Sequence, residues 1–319
     1  MRRTALLPLV LLAATACGSA GEQDEQASAP PEAPAAAATA PPAPPSPAVT
    51  TPTAPRPVLP GGGRSVFPEH TVVAYYGTVA GRGDLGVLGQ GEPDAQAAAL
   101  AAAAAPFGPA SGRPVLPAFE LITTVAQRAP GADGDYSAPI EPAQVQRYLD
   151  AARRAGALLI LDLQPGTARF LDQAKAYEAF LREPDVGLAL DPEWVLQPGQ
   201  RPGRQIGSTT AAEVNAVSEY LQQLVTEGDL PQKVLVVHQF RASMLPDREA
   251  VRQRPGLEIV VHLDGFGTQG VKREVYDLLS LKTPPLRNGF KLFYDEDTDL
   301  MTPEEAMALV PRPELITYQ

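Results

Sequence analysis

From about residue 66 onward, short apolar runs alternate with stretches in which apolar residues recur every three or four positions. The runs read as strands over Thr71–Tyr76, Val115–Ile122, Ala157–Leu163, Val186–Asp191, Lys233–His238, Glu258–His262, Phe290–Tyr294 and Glu314–Tyr318. The spacing between them predicts helices over Pro93–Ala105, Pro142–Ala155, Thr167–Leu181, Thr210–Thr226, Arg248–Gln253 and Val271–Leu281, with a further helix opening at Thr302. In the second of these, Val145, Tyr148, Leu149, Ala152 and Ala155 share one face. Thr210 with Glu213, and Thr302 with Pro303 and Glu305, carry the pattern of helix N-terminal caps.

Strands that alternate with helices imply a parallel sheet, and short right-handed crossovers favour its closure. The expected fold is α/β: a single TIM-barrel-like (β/α)8 domain over residues 66–319, a length of roughly 250 residues being usual for that architecture. No helix follows the last predicted strand, so one flank is expected to be thin or covered by the start of the domain. An open doubly wound sheet is the competing arrangement. Against it, no glycine-rich dinucleotide fingerprint follows the first strand.

The part before residue 66 has a different texture. Arg2 and Arg3 precede an apolar stretch from Ala5 to Ala14, and small residues lead to Cys17. This is a secretory-signal layout, too short for a membrane span. Leu12-Ala13-Ala14-Thr15-Ala16-Cys17 resembles the bacterial lipobox, although Ala14 stands where leucine is preferred. That resemblance implies a signal peptide over 1–17, a lipidated Cys17 and a chain anchored on the outer side of the cell membrane. The competing reading is an ordinary signal peptide cut near Ala16. Cys17 is the only cysteine, so no disulfide is available. Residues 18–65 are dominated by Ala, Pro, Ser, Thr and Gly and are expected to form a disordered tether. The formal net charge of −11, more acidic still once Arg2 and Arg3 are removed, argues against nucleic acid or an anionic bilayer as partner.

Candidate chemistry gathers at the ends of the predicted strands, where a parallel barrel builds its active site. Alternation in Gly187-Leu188-Ala189-Leu190-Asp191-Pro192-Glu193-Trp194 places Leu188 and Leu190 toward the helices and Gly187, Ala189, Asp191 and Glu193 inward. Asp162 and Gln164 end the preceding strand in the same phase, and Glu120 lies near the end of the second. A carboxylate pair suits glycoside cleavage, with one protonated acid and one partner carboxylate. The expected acid is Glu193, with Asp191 or Asp162 as its partner. Trp194, the only tryptophan, is a candidate sugar platform. His238 and Asp264 are read as positioning substrate, with His262, Glu120 and Tyr75 as further candidate contacts; Tyr75 and Tyr76 must point to opposite sides. The bland alternatives are an Asp191 that merely caps a loop, an Asp162 ion-paired to Arg169, and a Trp194 packed under a loop. Asp295, Glu296 and Asp297 read as a solvated acid run, and Gly77–Gly91 as a rim loop able to act as a lid.

Single histidines at the fifth and sixth strand ends resemble metal-dependent amidohydrolase barrels. The His-x-His expected on the first strand is replaced by Ala74-Tyr75-Tyr76-Gly77, and the last strand ends Thr317-Tyr318-Gln319 without an aspartate. No metal ligand set and no cofactor is therefore expected. Taken together, the anchor, the tether and the stretches Gly187–Trp194, Val236–Phe240 and His262–Gly267 resemble a bacterial cell-surface lipoprotein with a glycoside-hydrolase-like TIM barrel. The resemblance implies an extracytoplasmic enzyme acting on cell-envelope or environmental polysaccharide. It stops short of a defined hydrolase family: the Asn-Glu pair of the largest retaining clan is here Pro192-Glu193. Two other classes stay open, a catalytically silent barrel that binds envelope glycan or a protein partner, and a metal-dependent hydrolase.

Overall fold

The computed structural model describes residues 55–79 and 84–319. The expected signal peptide, Cys17 and residues 18–54 of the expected tether lie outside the described residues. Ten strands form one sheet: β1 (Thr71–Val79), β2 (Asp84–Leu85), β3 (Val115–Ala126), β4 (Ser137–Pro139), β5 (Leu158–Leu163), β6 (Val186–Leu190), β7 (Lys233–Gln239), β8 (Leu257–Leu263), β9 (Arg287–Leu292) and β10 (Leu315–Tyr318). Eight are parallel, in the order β1-β3-β5-β6-β7-β8-β9-β10, and β1 pairs with β10 as well as with β3, which closes the barrel. β2 and β4 fold back antiparallel on the C-terminal ends of β1 and β3 and raise the rim there. Among the described residues no helix is long and apolar enough to cross a membrane.

Strand alternation sorts the core into two compartments. Val73, Phe119, Leu161, Leu188, Leu190, Val237, Val261 and Leu292 face the helices, while Val72, Ala74, Ala118, Ile160, Ala189, Val236 and Val260 fill the barrel. The helices are α1 (Pro93–Ala104), α2 (Phe107–Ser111), α3 (Pro142–Arg154), α4 (Phe170–Ala176), α5 (Glu178–Leu181), α6 (Ala211–Glu227), α7 (Gln269–Leu279) and α8 (Pro303–Met307). Thr302 and Glu305 complete a reciprocal capping box on α8. The helix expected over Thr167–Leu181 is broken at Tyr177, whose hydroxyl donates to the carbonyl of Thr123 at 2.7 Å and holds the break against β3. The helix expected over Arg248–Gln253 is only a 3-10 turn, Arg248–Ala250. There the Arg248 guanidinium bonds the Gln239 side chain (2.9 Å) and the Leu279 carbonyl (2.5 Å), tying the loop to its neighbours in place of a helix. The flank left without a final helix is covered by α2, where Phe107 meets Tyr318 edge to face and Arg312 donates to the Ser111 carbonyl.

The packed region begins about ten residues before the expected boundary at 66. Leu59, Val66 and Phe67 are buried in the interior cluster with Val72, Leu116, Leu158 and Leu315, at the N-terminal end of the barrel. The Arg64 guanidinium fixes the segment by donating to the carbonyls of Pro57, Asp229 and Leu230, and Gln232 accepts from the Val66 amide at 2.7 Å. Arg56 pairs with Asp229. Around this plug runs a ring of ion pairs, Arg287 to Glu258 (2.9 Å) and Glu314 (3.1 Å) and Arg113 to Glu314 (2.9 Å), with the Arg287 guanidinium over the Phe67 ring. Desolvated side chains of this size dominate the cost of truncation. Phe67→Ala in the full chain is expected to cost about 3–5 kcal/mol by denaturant unfolding. Phe266→Ala, at a position 64% exposed, should stay within about 0.5 kcal/mol of the parent.

Candidate active site

Above the apolar interior the barrel turns polar. Tyr76, Glu120, Asp162, His238, His262, Lys291 and Thr317 occupy the upper interior and are all buried. Register explains the grouping: Tyr76 lies beside Glu120, His238 beside His262, and Lys291 beside Thr317. His238 is the centre of the layer. Its Nδ1–H donates to Asp264 Oδ2 at 2.9 Å and its Nε2–H to Glu120 Oε1 at 3.0 Å, while the Thr317 hydroxyl donates to Glu120 Oε2 at 3.0 Å. A histidine that donates from both nitrogens is an imidazolium. Asp162 lies 3.8 Å from His238 Nε2 and accepts from the Tyr76 hydroxyl at 3.1 Å. Arg169, its partner in the bland alternative, pairs with Glu213 instead.

The carboxyl groups divide by partner. Burial alone would raise all of them. At Glu120 that effect is outweighed by the hydrogen bond and charge of His238, and the group falls to about 2. At Asp264 burial is again outweighed by the His238 hydrogen bond, and the group stays below its ordinary value. His238 repays the arrangement: desolvation is overcome by Asp264 and Glu120, which hold it charged well above the usual histidine range. Asp162 is pushed by burial, with Glu120 adding to it, to about 7. Asp191 is raised well above the carboxylate range by burial, helped by Asp162, Asp264 and Glu193. Glu193 is raised by burial and by Asp264, against Lys291, His238 and Arg241. His262 is held neutral by desolvation, falling to about 3. Its ring lies so close to the next strand that a Cβ at Gly289 would sit 2.2 Å from Nδ1, which requires glycine at that point. Neither ring nitrogen has a hydrogen-bond partner among the described residues.

A cavity of about 380 Å³ opens over this layer. Asp191, Glu193, Trp194 and Asp264 line it, as do Tyr76, Gln164, Lys291 and the aromatic rings of Phe240, Phe266 and Phe293. Asp191 both lines the cavity and caps the turn at Pro192–Trp194, its Oδ1 accepting from the Glu193 amide at 3.2 Å. Glu193 is thereby set half-buried at the wall, and the Gly207 amide, donating to the Glu193 carbonyl at 2.8 Å, pins the turn from outside.

The expected site residues thus fall into three groups. Asp191, Glu193, Trp194 and Asp264 meet at the cavity. Glu120, Asp162, His238 and His262 lie under its floor and do not line it, so they act on it through other groups. Tyr75 belongs to neither: it faces the helix layer, edge-on to Tyr294 and Tyr318, and its neighbour Tyr76 takes the inward position. The acid run also divides. Glu296 lines the cavity, whereas Asp297 is buried, paired with Lys272 at 2.9 Å and accepting from the amides of Gly267 and Phe293. Sequence reasoning missed Lys291. The signal was present: in Asn288-Gly289-Phe290-Lys291-Leu292 the lysine shares the inward phase with Gly289 and interrupts an apolar strand. Of the rim loop, Leu85 reaches the cavity, and the backbone closes on itself where a Cβ at Gly77 (φ +151°) would meet the Leu85 carbonyl at 2.1 Å.

No protein-family model matches this chain, and no curated protein matches it. Among solved structures the chain is similar to one described as a trimodular GH5_4 subfamily endoglucanase, at 13% identity and a TM-score of 0.35, over 62% of this chain and 40% of that one. The chain therefore spans well under half the length of that structure.

The electrostatics predict a pH profile for stability. The folded chain keeps a proton on Asp162 up to about 7, whereas an unfolded aspartate loses it near ~3.9, so this group's contribution falls as pH rises through that window. His238, raised when folded, contributes fully below ~6.5 and loses that contribution as pH rises through its folded value. The opposing contribution of His262, neutral when folded, is complete by ~6.5. Above about 7 the loss at His238 is opposed by Lys233, which desolvation lowers to about 7 and which gains as pH rises toward its unfolded value of ~10.4. The Asp162 window is therefore read by difference: by scanning fluorimetry, the melting temperature of Asp162→Asn relative to the parent is expected to rise from about pH 4 to about pH 7 and to stay level above it.

Proposed function

We propose that this barrel hydrolyses glycosidic bonds at the cavity over its polar layer. The observation that carries the reading is one cavity lined by two carboxyl groups shifted in opposite directions. Burial and Asp264 raise Glu193 toward its protonated form, and the His238 hydrogen bond holds Asp264 below its ordinary value against burial. That is the division of labour glycoside cleavage requires. Glu193 donates its proton to the leaving oxygen as the bond to the anomeric carbon breaks. Asp264 then attacks that carbon or takes a proton from the water that does. Its Oδ2 is occupied by His238, and its Oδ1 has no hydrogen-bond partner among the described residues. Asp162 lies under the floor and does not line the cavity, and burial raises Asp191 well above its ordinary value, so the partner role passes to Asp264. Trp194, Phe240, Phe266 and Phe293 give the cavity flat apolar walls of the kind a sugar ring stacks upon.

The test is release of reducing ends from a panel of plant, fungal and bacterial cell-wall glycans by the full chain. Glu193→Gln should lower turnover by at least a hundredfold while the melting temperature stays within a few degrees; Asp264→Asn should lower turnover as far and lower the melting temperature as well, because it leaves the buried His238 charge one partner short. Parent activity should decline as pH rises through the elevated Glu193 value, since the protonated form is the working one. Retention of the product anomer would assign Asp264 as nucleophile, and inversion would assign it as base. Full activity in both variants would refute the reading.

We further propose that the chain is exported and held at the outer face of the cell membrane by lipid on Cys17, which would present the barrel to envelope or environmental polysaccharide. Growth with an alkyne-bearing palmitate should label the parent and not Cys17→Ser, and Cys17→Ser should leave the membrane fraction. A labelled or membrane-retained Cys17→Ser chain would overturn it.

A further inference from the structure

Three lysines are buried in the barrel, and two of them are saturated. Lys233 donates to the carbonyls of Glu183 (2.6 Å) and Val186 (2.7 Å). Lys272 donates to the carbonyls of Gly265 (2.9 Å) and Lys291 (2.8 Å) and pairs with Asp297 (2.9 Å). Lys291 is as deeply placed, 3% exposed, yet among the described residues no oxygen accepts from its ammonium. It rests 3.5 Å over the centre of the Tyr76 ring, with Phe293 at 5.4 Å, and it lines the cavity. The neighbouring carboxyl groups make no ion pair with it: both oxygens of Glu120 go to His238 and Thr317, one oxygen of Asp264 to His238, Asp162 to Tyr76 and Asp297 to Lys272, while Glu193 feels the ammonium only through space.

A buried ammonium held by aromatic faces alone is an expensive feature unless something else completes it. A second cation stands at the same cavity. Arg241 is exposed at the rim, its guanidinium over the Phe240 ring at 5.7 Å and in no ion pair among the described residues. One cation at the floor and one at the rim of the same cavity, neither in an ion pair among the described residues, make a site for a negative group. Four acids, Asp191, Glu193, Asp264 and Glu296, share the lining with the two cations, and burial raises Asp191 and Glu193 toward their neutral forms; the set disfavours a doubly charged ligand and leaves room for a single charge.

We infer that the cavity selects a sugar bearing a carboxylate, a hexuronate or similarly acidic residue, which Lys291 binds through its ammonium and Arg241 attracts from the rim. The inference deepens the hydrolase reading by naming its substrate class, and the sugar part of it rests on that reading.

The test is binding by the full chain, followed by NMR titration, of glucuronate, glucose and glucose 6-phosphate. The parent should bind glucuronate about tenfold or more tightly than glucose, the difference expected of one charge-assisted contact, and more tightly than the phosphate ester. Lys291→Met should bring the ratio of glucuronate to glucose affinity close to one, and Lys291→Arg should restore part of it. If Lys291→Met does not melt cooperatively, Lys291→Arg and Arg241→Gln decide, the former keeping most of the preference and the latter reducing it. Equal binding of glucuronate and glucose by the parent, a preference that survives Lys291→Met, or tighter binding of the phosphate ester would overturn the inference. Measuring Glu193→Gln in parallel separates the two claims. Preference for glucuronate without turnover of any glycan sinks the hydrolase and keeps the acidic-ligand site. Turnover of neutral glycans with no preference does the reverse.

Discussion

The His238 imidazolium clamped between Glu120 and Asp264 is the interaction on which the upper barrel depends. Each member is buried, and none would tolerate that burial as an ion alone. Glu120 reaches the histidine from β3 and Asp264 from the end of β8, so three strands must hold register for the charges to cancel. Removing one partner leaves an uncompensated charge in the interior, a far larger penalty than the pair's own net worth. The clamp therefore acts as a geometric lock as well as a source of charge.

From the lock follows the state of every other acid nearby. The imidazolium is spent on Glu120 and Asp264, so it lowers Asp162 and Asp191 too little to offset their burial. Around the clamp, Glu120 and Asp264 are therefore held below their ordinary values beside the His238 imidazolium, while Asp162, Asp191 and Glu193 are raised. Chemistry at the cavity inherits this arrangement. Glu193 and Asp264 differ because one of them touches His238 and the other does not.

Much of the barrel was legible in the chain. Alternation placed Leu188 and Leu190 against the helices and Ala189, Asp191 and Glu193 inward, as observed, because a strand buried on both faces still separates its residues by size. The eight strands and most helices follow from the same periodicity. Failures came where local pattern does not decide. A break at Tyr177 depends on a partner 54 residues away. The absence of a helix after Arg248 depends on carbonyls that an arginine reaches across the loop. Phase predicted that one of Tyr75 and Tyr76 faces inward but not which, since both positions suit an aromatic. His238, Asp264 and Glu120 were each legible as candidates near the site, but not Glu120 as the histidine's partner, because that pairing spans 118 residues and local phase does not show it. Lys291 was overlooked because a lysine in an apolar strand reads as an edge or surface residue, and only closure of the ring turns that strand inward.

The plug of Leu59, Val66 and Phe67 makes the barrel a cup with one opening. Whatever enters the cavity must leave by the same route, across the aromatic lip, so a long polymer cannot thread through. The polypeptide also joins the cup at its sealed base.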